Sequence, residues 1–433
     1  MGRAGGNYCI PEPVDGRNIT VSQDNSANEP MKTTLWKAQR DKRCASAGVL
    51  LAALLMAAAG ATAATPTYWW DTNGTDDGPG NPPDGVWDWS TPNWTTDYNG
   101  DSPPFAYPGR ANVVFAATGG AEWDETYDYT VDIQGEEQVS DIVIEDGNCT
   151  LTNDFGYLDK DTPYISVLNY GQTATIYSVI SSASGTANGI TMFAWGTLVL
   201  GGTNTYQGPT TIEGGTLQLA APQVLPRSST LVLAGGDTRP QDGYSSTSAK
   251  FATGGYSQTL GPLVLTGPYT NLIHTIDFGH GASKLVFADS HTQNWGGIAL
   301  HLLNYKPGVD SLRFGTSSSG LTATQLGLLR FNGFLDVPGR IDADGFVTPL
   351  PPPTLSIAPS GLNTMMLTWD AINGRTYNVQ FKANLTDASW NSNSVQNIVA
   401  TNNTASFADT ADTVGTNSHR FYRIQLEAPS FGN

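Results

Sequence analysis

The stretch GTLVLGGTNTYQGPTTIEGGTLQLA, Gly196 to Ala220, decides the fold. It holds one short strand, Gly-Thr-Leu-x-Leu, twice: at Gly196–Leu200 and at Gly215–Leu219. Leu198 and Leu200 point to one side and Val199 to the other, because side chains alternate along a strand. Between the copies lie Gly201-Gly202, Asn204-Thr205-Tyr206, Gly208-Pro209, Thr210-Thr211-Ile212 and a second glycine pair. The glycines supply the positive-φ turns that end each strand. Leu198 and Leu217 stand 19 residues apart, the length of one coil of a narrow β-solenoid. A unit this small cannot bury its apolar face alone and must stack on a neighbour.

Strand signals recur outward from there, at Asp141–Ile144, Cys149–Thr152, Tyr164–Leu168 and Thr175–Ile180. The theme of Gly or Ser, any residue, Leu, any residue, Leu or Phe returns at Ser229–Leu233, Gly261–Leu265 and Ser283–Phe287. Its leucines at 198, 217, 231, 263 and 285 are 19, 14, 32 and 22 residues apart. Successive coils are therefore expected to differ in loop length, with Gly235–Thr247 looping out on one side. No window sustains the i, i+3, i+4, i+7 apolar spacing of a helix over this region.

The run Leu198–Leu219 resembles the autotransporter-associated β-strand repeat. That pattern is a Leu-rich strand, Gly, Asn-Thr-Tyr, a Gly-rich turn, Thr-Thr-Ile and Gly-Thr-Leu-x-Leu, and this chain keeps each part. The resemblance implies a right-handed parallel β-helix in a secreted or surface-exposed bacterial protein. It covers about 25 residues strongly and about 150 weakly. No C-terminal stretch resembles an outer-membrane barrel. A later series runs from Leu285-Val286-Phe287 through Trp295-Gly296-Gly297, Arg313-Phe314-Gly315 and Leu321–Phe331 to Ile341–Pro349. It resembles the segment that closes such repeats in secreted proteins of planctomycete and verrucomicrobial type. Leu321–Phe331 reads as a helix whose Leu321, Leu326, Leu329 and Phe331 cover the last coil.

Pro349-Leu350-Pro351-Pro352-Pro353 is a stiff linker. Beyond it the alternation is antiparallel in style, in Met365–Trp369, Tyr377–Phe381, Ala405–Phe407 and Arg420–Ile424, with Asn373-Gly374 as a hairpin signal. This suits a small antiparallel β-sandwich, and it resembles a divergent fibronectin type III-like module. The chain thus reads as all-β. Residues 1–64 are an upstream extension and signal peptide, 65–135 an acidic Trp-rich β cap, and 136–290 a right-handed parallel β-helix (β-solenoid). Residues 291–348 close the solenoid with one short helix, 349–353 are the linker, and 354–428 are the sandwich.

The expected signal peptide rests on Lys37, Arg40, Lys42 and Arg43, then the apolar run Ala45–Ala59, then Ala61-Thr62-Ala63. The run is too short and Ala-rich to span a membrane well, so no span is expected in the mature chain. Met31 is a better start than Met1, and the final Ala428–Asn433 has no sorting signal. Cleavage near Ala64 leaves one cysteine, Cys149, and no internal disulfide. It also leaves 14 basic against 34 acidic residues, a net charge of about −20. Such a surface argues against nucleic acid or anionic membrane as partner.

Residues 65–161 carry 20 of those acids, two bases (Arg110 and Lys160) and six tryptophans. Trp87, Trp89 and Trp94 are the candidate carbohydrate contacts, since an aromatic face suits a pyranose ring. The alternative places them as a plug in the open end of the solenoid. The loop Asp71–Gly78 has oxygens suited to Ca²⁺, but position five is Thr75 and position twelve is not Glu. In His274-Thr275-Ile276-Asp277-Phe278-Gly279-His280 the two histidines share a face only if the strand is unbroken. No acid recurs at coil spacing beside a base, and no Gly-x-Ser-x-Gly, His-Glu-x-x-His or phosphate loop is present. The expectation is a non-enzymatic secreted or cell-surface structural protein, adhesive or matrix-contacting. It has no catalytic residue, cofactor or metal, and its partners are extracellular polysaccharide or surface proteins. The alternative is a carbohydrate-binding protein or polysaccharide lyase-like enzyme.

Overall fold

A strand of alternating Leu buries one edge and leaves the other to solvent, so two such strands one coil apart should meet in register. They do. Thr197–Leu200 pairs in parallel with Thr216–Leu219, with Leu198 opposite Leu217 and Leu200 opposite Leu219. All four leucines are fully buried, while Val199 and Gln218 face outward. This is a computed structural model, and it describes residues 64–426 apart from 118–126, 154–155, 184–186, 237–247, 269–271, 332–337, 351–352, 362–363, 372–374, 403 and 410–419. Of 391–396 it describes the backbone alone. The expected signal peptide up to residue 63, most of the Gly235–Thr247 insertion and the Asn373-Gly374 turn lie outside the described residues.

Among the described residues the strands gather into an 11-stranded, a 10-stranded, a 5-stranded and two 3-stranded sheets. The chain steps from one large sheet to another and back. Thr197–Leu200 and Thr216–Leu219 belong to the 10-stranded sheet, while Thr210–Ile212 and Leu231–Leu233 belong to the 11-stranded sheet. Apart from Trp94–Thr95, the strands of these two sheets pair in parallel with their counterparts a coil away, and helix is almost absent among the described residues. This is the winding of a β-solenoid, with its core between the sheets.

The Asn-Thr-Tyr of the repeat has a structural task. Asn204 is buried at a corner. Its Oδ1 accepts from Ile180 N at 2.8 Å in the coil before, and its Nδ2 donates to Val224 O at 3.0 Å in the coil after. Tyr206 lies inside, its hydroxyl 2.6 Å from Thr210 Oγ1, which lies 2.9 Å from Ser229 Oγ. Gly215 is required at its turn: φ is +66°, and a Cβ there would stand 2.4 Å from Gly196 O.

The leucine series needs correcting. Leu198 and Leu217 lie in one sheet, Leu231 and Leu263 pair in another, and Leu285 sits in the five-stranded sheet. The irregular spacing arose from counting different faces as one, because the same Gly/Ser-x-Leu-x-Leu strand serves all of them. The parallel ladder also passes both expected limits. Thr67–Trp70 already pairs in parallel with Ala111–Phe115, and Leu329–Phe331 still pairs in parallel with Ala299–Leu303. The expected Thr175–Ile180 strand is two, Thr173–Ile176 and Val179–Ser182, broken at a corner by Tyr177-Ser178.

The expected helix is shorter than read. Ala323–Leu328 is helical, opened by a capping box in which Gln325 N donates to Thr322 Oγ1 at 3.2 Å and Thr322 N donates to Gln325 Oε1 at 2.8 Å. Leu329 to Phe331 are strand instead, because the exposed edge of Ala299–Leu303 offers them a ladder that outweighs helix propensity. Pro349 likewise ends the Phe346–Pro349 strand, opposite Gly339, rather than beginning a free linker.

From Leu355 on, all pairing is antiparallel. Leu355–Gly361, Thr364–Asp370 and Thr404–Asp409 form one sheet; Asn391–Val399, Thr376–Lys382 and Phe421–Leu426 form the other. Leu367 and Trp369 of the first sheet and Tyr377 and Val379 of the second share one buried cluster. Among the described residues no helix is long and apolar enough to cross a membrane.

Leu217→Ala should destabilise the chain by about 2–5 kcal/mol, since the coils on either side cannot close the hole. The outward Val199→Thr should change stability by roughly 0.5 kcal/mol or less. Urea unfolding of the two variants, followed by far-UV circular dichroism, checks the contrast.

Candidate functional site

The entry coil is where side-chain chemistry concentrates. Trp70 ends the Thr67–Trp70 strand, Trp87 ends Gly85–Trp87, and Trp94 begins Trp94–Thr95, which turns antiparallel against the first of these. These three tryptophans, Tyr107 and Phe115 are fully buried together. Trp70 meets Trp94 at 5.1 Å and 77°, Trp87 meets Trp94 at 5.0 Å and 63°, and Trp87 meets Tyr107 at 5.2 Å and 82°. Such edge-to-face pairs add about 0.5–1.5 kcal/mol each beyond the area they bury. The Trp70 indole donates to Pro83 O at 2.7 Å.

Two of the three proposed carbohydrate contacts are therefore corrected. Trp87 and Trp94 have no exposed surface, because alternation and the antiparallel fold-back turn both inward. Trp89 alone is open, at 53% exposure. It follows Asp88, whose Oδ1 accepts from Ser90 N at 2.7 Å and Thr91 N at 2.5 Å. Those bonds hold the Asp88 carboxyl below its usual range against the opposing pull of desolvation. The Trp89 ring lies against two glycines: a Cβ on Gly109 would stand 3.5 Å from it, and one on Gly135 would stand 3.7 Å from both Trp89 Nε1 and Glu137 Oε1.

Beneath Trp89 the interior is polar. Glu137 points inward from the strand Glu136–Ile144, is fully buried, and neither carboxylate oxygen has a donor in hydrogen-bond geometry. Burial, and secondarily the charge of Asp88, pushes its carboxyl up to about 8 against the weaker pull of the Trp87 indole, so it is largely protonated at neutral pH. Lys160 is also buried, and desolvation pushes its ammonium down to about 8 against the opposing pull of Asp141 and Asp161. Its Nζ donates to Ser140 O and, at 3.1 Å, to Tyr164 O. Ser140 sits at a bulge where the ladder shifts register, and a bulge frees backbone groups from the ladder. The Glu136–Ile144 strand changes partner there, from Tyr157–Lys160 to Tyr164–Val167. Lys160 bridges the two parts of that junction, so its donors serve the fold. Sequence reading passed over Glu137, although its alternation with Val139 on one inward edge was available as a signal.

The histidine pair does not assemble. His274 is buried; Ala249 N donates to its Nδ1 at 3.2 Å, so Nε2 carries the proton toward Thr266 O at 2.9 Å. Burial lowers its affinity for a second proton. The strand ends at Asp277, and His280 lies exposed beyond the positive-φ Gly279. Asp277 faces outward, paired with Lys250 at 2.8 Å and accepting from Asn304 Nδ2 at 2.7 Å. Cys149 is buried and in no disulfide among the described residues.

The passenger-associated-transport-repeat family model matches residues 195–219 of this chain. That match falls on one coil and includes the Asn204 and Tyr206 clips described above. The adhesin BmaC autotransporter of Brucella suis biovar 1 (strain 1330) is 30% identical over 173 residues. The alignment covers 39% of this chain and 5% of that protein, so the chain spans a small fraction of the curated relative it matches. No solved structure matches.

The buried pair sets a pH signature with opposite signs. Glu137 binds its proton more tightly folded than unfolded, so stability falls as pH rises from about 4.5 toward about 8. Lys160 binds its proton less tightly folded, so stability rises as pH climbs from about 8 toward about 10.5. Glu137→Gln should flatten the fall and be more stable than wild type at pH 8, by on the order of 1–3 kcal/mol, a tenfold change in proton affinity being worth about 1.4 kcal/mol. Lys160→Met should remove the rise above pH 8. Urea midpoints of the three proteins from pH 5 to 10 check both.

Proposed function

We propose that this chain is a surface-exposed, adhesin-like protein of autotransporter-passenger type. In this reading a right-handed β-solenoid presents polar faces to extracellular polysaccharide or surface proteins and performs no catalysis. The observation that carries it is the repeat-matched coil at 195–219, wound in parallel register with its neighbours. The adhesin name of the Brucella relative supports the same reading. The outer face of the 10-stranded sheet carries Thr173, Thr197 and Thr216 in one column and Thr130, Thr150 and Thr175 in the next. Hydroxyls repeated at the inter-strand spacing of about 4.8 Å suit an extended polar partner.

We read residues 354–428 as a fibronectin type III-like sandwich. Its first, second and fifth strands share one sheet and its third, fourth and sixth the other, the A-B-E and C-C′-F division of immunoglobulin-like sandwiches. Its role here is that of a spacer or binding unit.

A second reading is favoured by one observation. Trp89 presents an open indole beside two glycines, a platform for the apolar face of a sugar ring. The full chain, immobilised and offered plant and algal polysaccharides, should retain at least one of them without releasing oligosaccharide. Release of product that is lost with a single acidic substitution would overturn the adhesive, non-catalytic reading. Trp89→Ala should weaken retention by about tenfold, within the roughly 1–3 kcal/mol that base or ring stacking supplies. Unchanged retention rejects Trp89 as the contact.

A further inference from the structure

We infer that the loop opening the entry coil, residues 71–78, holds a Ca²⁺ ion between the Asp71 carboxylate and the Asn73 side-chain carbonyl, beside Asp97. Asp71 follows the Thr67–Trp70 strand, and its own N–H is tied to Asn93 O at 2.9 Å. Its side chain is 1% exposed. Oδ1 accepts from Asn73 N at 3.1 Å, which turns the carboxylate into the loop it starts; the Gly74 amide also pulls on the carboxyl, but Oδ2 is buried with no donor in hydrogen-bond geometry. Asn73 repeats the pattern. Its Nδ2 donates to Asp77 O at 3.3 Å, which fixes which end of the amide is oxygen, and its Oδ1 is buried without a donor.

Two acceptor oxygens, on side chains two residues apart, are thus withdrawn from water with no donor in hydrogen-bond geometry. Buried polar atoms normally find partners, and an orphan is destabilising. A proton would serve one of the two oxygens. A water would serve both but leave the negative charge of Asp71 uncompensated, with Asp97 close enough to act on it. Among the described residues no basic side chain acts on Asp71. Residues 65–109 contain seven Asp and no Lys, Arg or His. Arg110, the first base, is 3.4 Å from Asp161. No charge supplied by the described residues compensates Asp71, which leaves that part to a cation from solution.

The donors are hard oxygens, one carboxylate and one amide, on an irregular loop. That set suits Ca²⁺, which accepts varied oxygen geometry, better than Mg²⁺, which demands a near-ideal octahedron. Among the described residues no three His, Cys, Asp or Glu converge on one point. The site therefore carries little charge and belongs with the weak class of extracellular modules, with dissociation constants on the order of 10⁻⁴–10⁻³ M.

Trp70 adjoins Asp71 and stands opposite Trp94, so an ion bound here lies beside two indoles. The full chain, titrated with Tb³⁺ and excited at the tryptophan band, should give sensitised luminescence. Ca²⁺ should displace it in the range just given, at constant ionic strength, and Mg²⁺ at least tenfold less effectively. Asp71→Asn should lose the Ca²⁺-competable signal, and Asn73→Ala should need about tenfold more Ca²⁺. Near-UV circular dichroism of the tryptophan cluster shows whether each variant keeps the entry coil. Should Asp71→Asn fail to fold, Asn73→Ala decides alone. No Ca²⁺-competable luminescence in wild type, or an unchanged midpoint in folded Asn73→Ala, overturns the site.

Discussion

No coil of this solenoid has a core of its own, and everything else follows from that dependence. An inward side chain touches the same position one coil earlier and one coil later. Tyr129, Cys149, Ala174, Leu198, Leu217, Phe251, Ile276, Leu302 and Phe331 form one such column, each paired in register with the next and each buried. Ile142, Ile165, Met192, Ile212, Leu233 and Leu265 form another on the facing sheet. Removing a methylene from one member loosens both neighbours, so stability is shared along the stack rather than held in any repeat. The corners obey the same rule. Asn204 closes its turn with one bond to the preceding coil and one to the following coil.

A stack of this kind leaves unpaired ends, and at each end one of its sheets leaves the parallel scheme. At the entry, Trp94–Thr95 folds back antiparallel on Thr67–Trp70 and brings aromatic rings over the core. At the exit, Phe346–Pro349 pairs antiparallel with Ser311–Phe314, and the Trp295 indole donates to Leu263 O at 3.2 Å on the last strand of the 11-stranded sheet. Gln325 of the short helix is buried and donates to Ser290 O at 2.9 Å and Gln293 O at 2.8 Å. Edges blunted in this way do not template further pairing.

The parts legible in sequence are those where one physical rule acts alone. Gly-Thr-Leu-x-Leu repeated after 19 residues could only be a pair of strands one coil apart, and Leu198 opposite Leu217 shows why. Where two rules compete, reading residues in order fails. Leu231 carries the same local pattern as Leu217, but the length of the intervening turn puts it on another sheet. Leu329 and Phe331 extend an apolar helical spacing, yet a waiting strand edge claims them. Trp87, Trp89 and Trp94 look alike in sequence; alternation and a fold-back bury the first and last, and a turn exposes the middle one. Glu137 was illegible for a different reason. Alternation places it inward, but charge argues against placing any carboxylate there, and only a protonated acid reconciles the two.

The polar groups buried near the entry bear on what the molecule can do. A hydrolase or lyase needs an acid and a base that a substrate can reach. Lys160 has its donors committed to Ser140 O and Tyr164 O, at the junction where one strand changes partner. Glu137 is sealed, and without its proton it would be an uncompensated charge in the core. Both groups are buried within the first coils. On its outer face the 10-stranded sheet offers threonine hydroxyls repeated at the pitch of the coil. Each such contact is weak, and their regular spacing lets one extended partner engage many at once, so affinity for the proposed adhesive role would grow with the number of coils engaged rather than reside in a pocket.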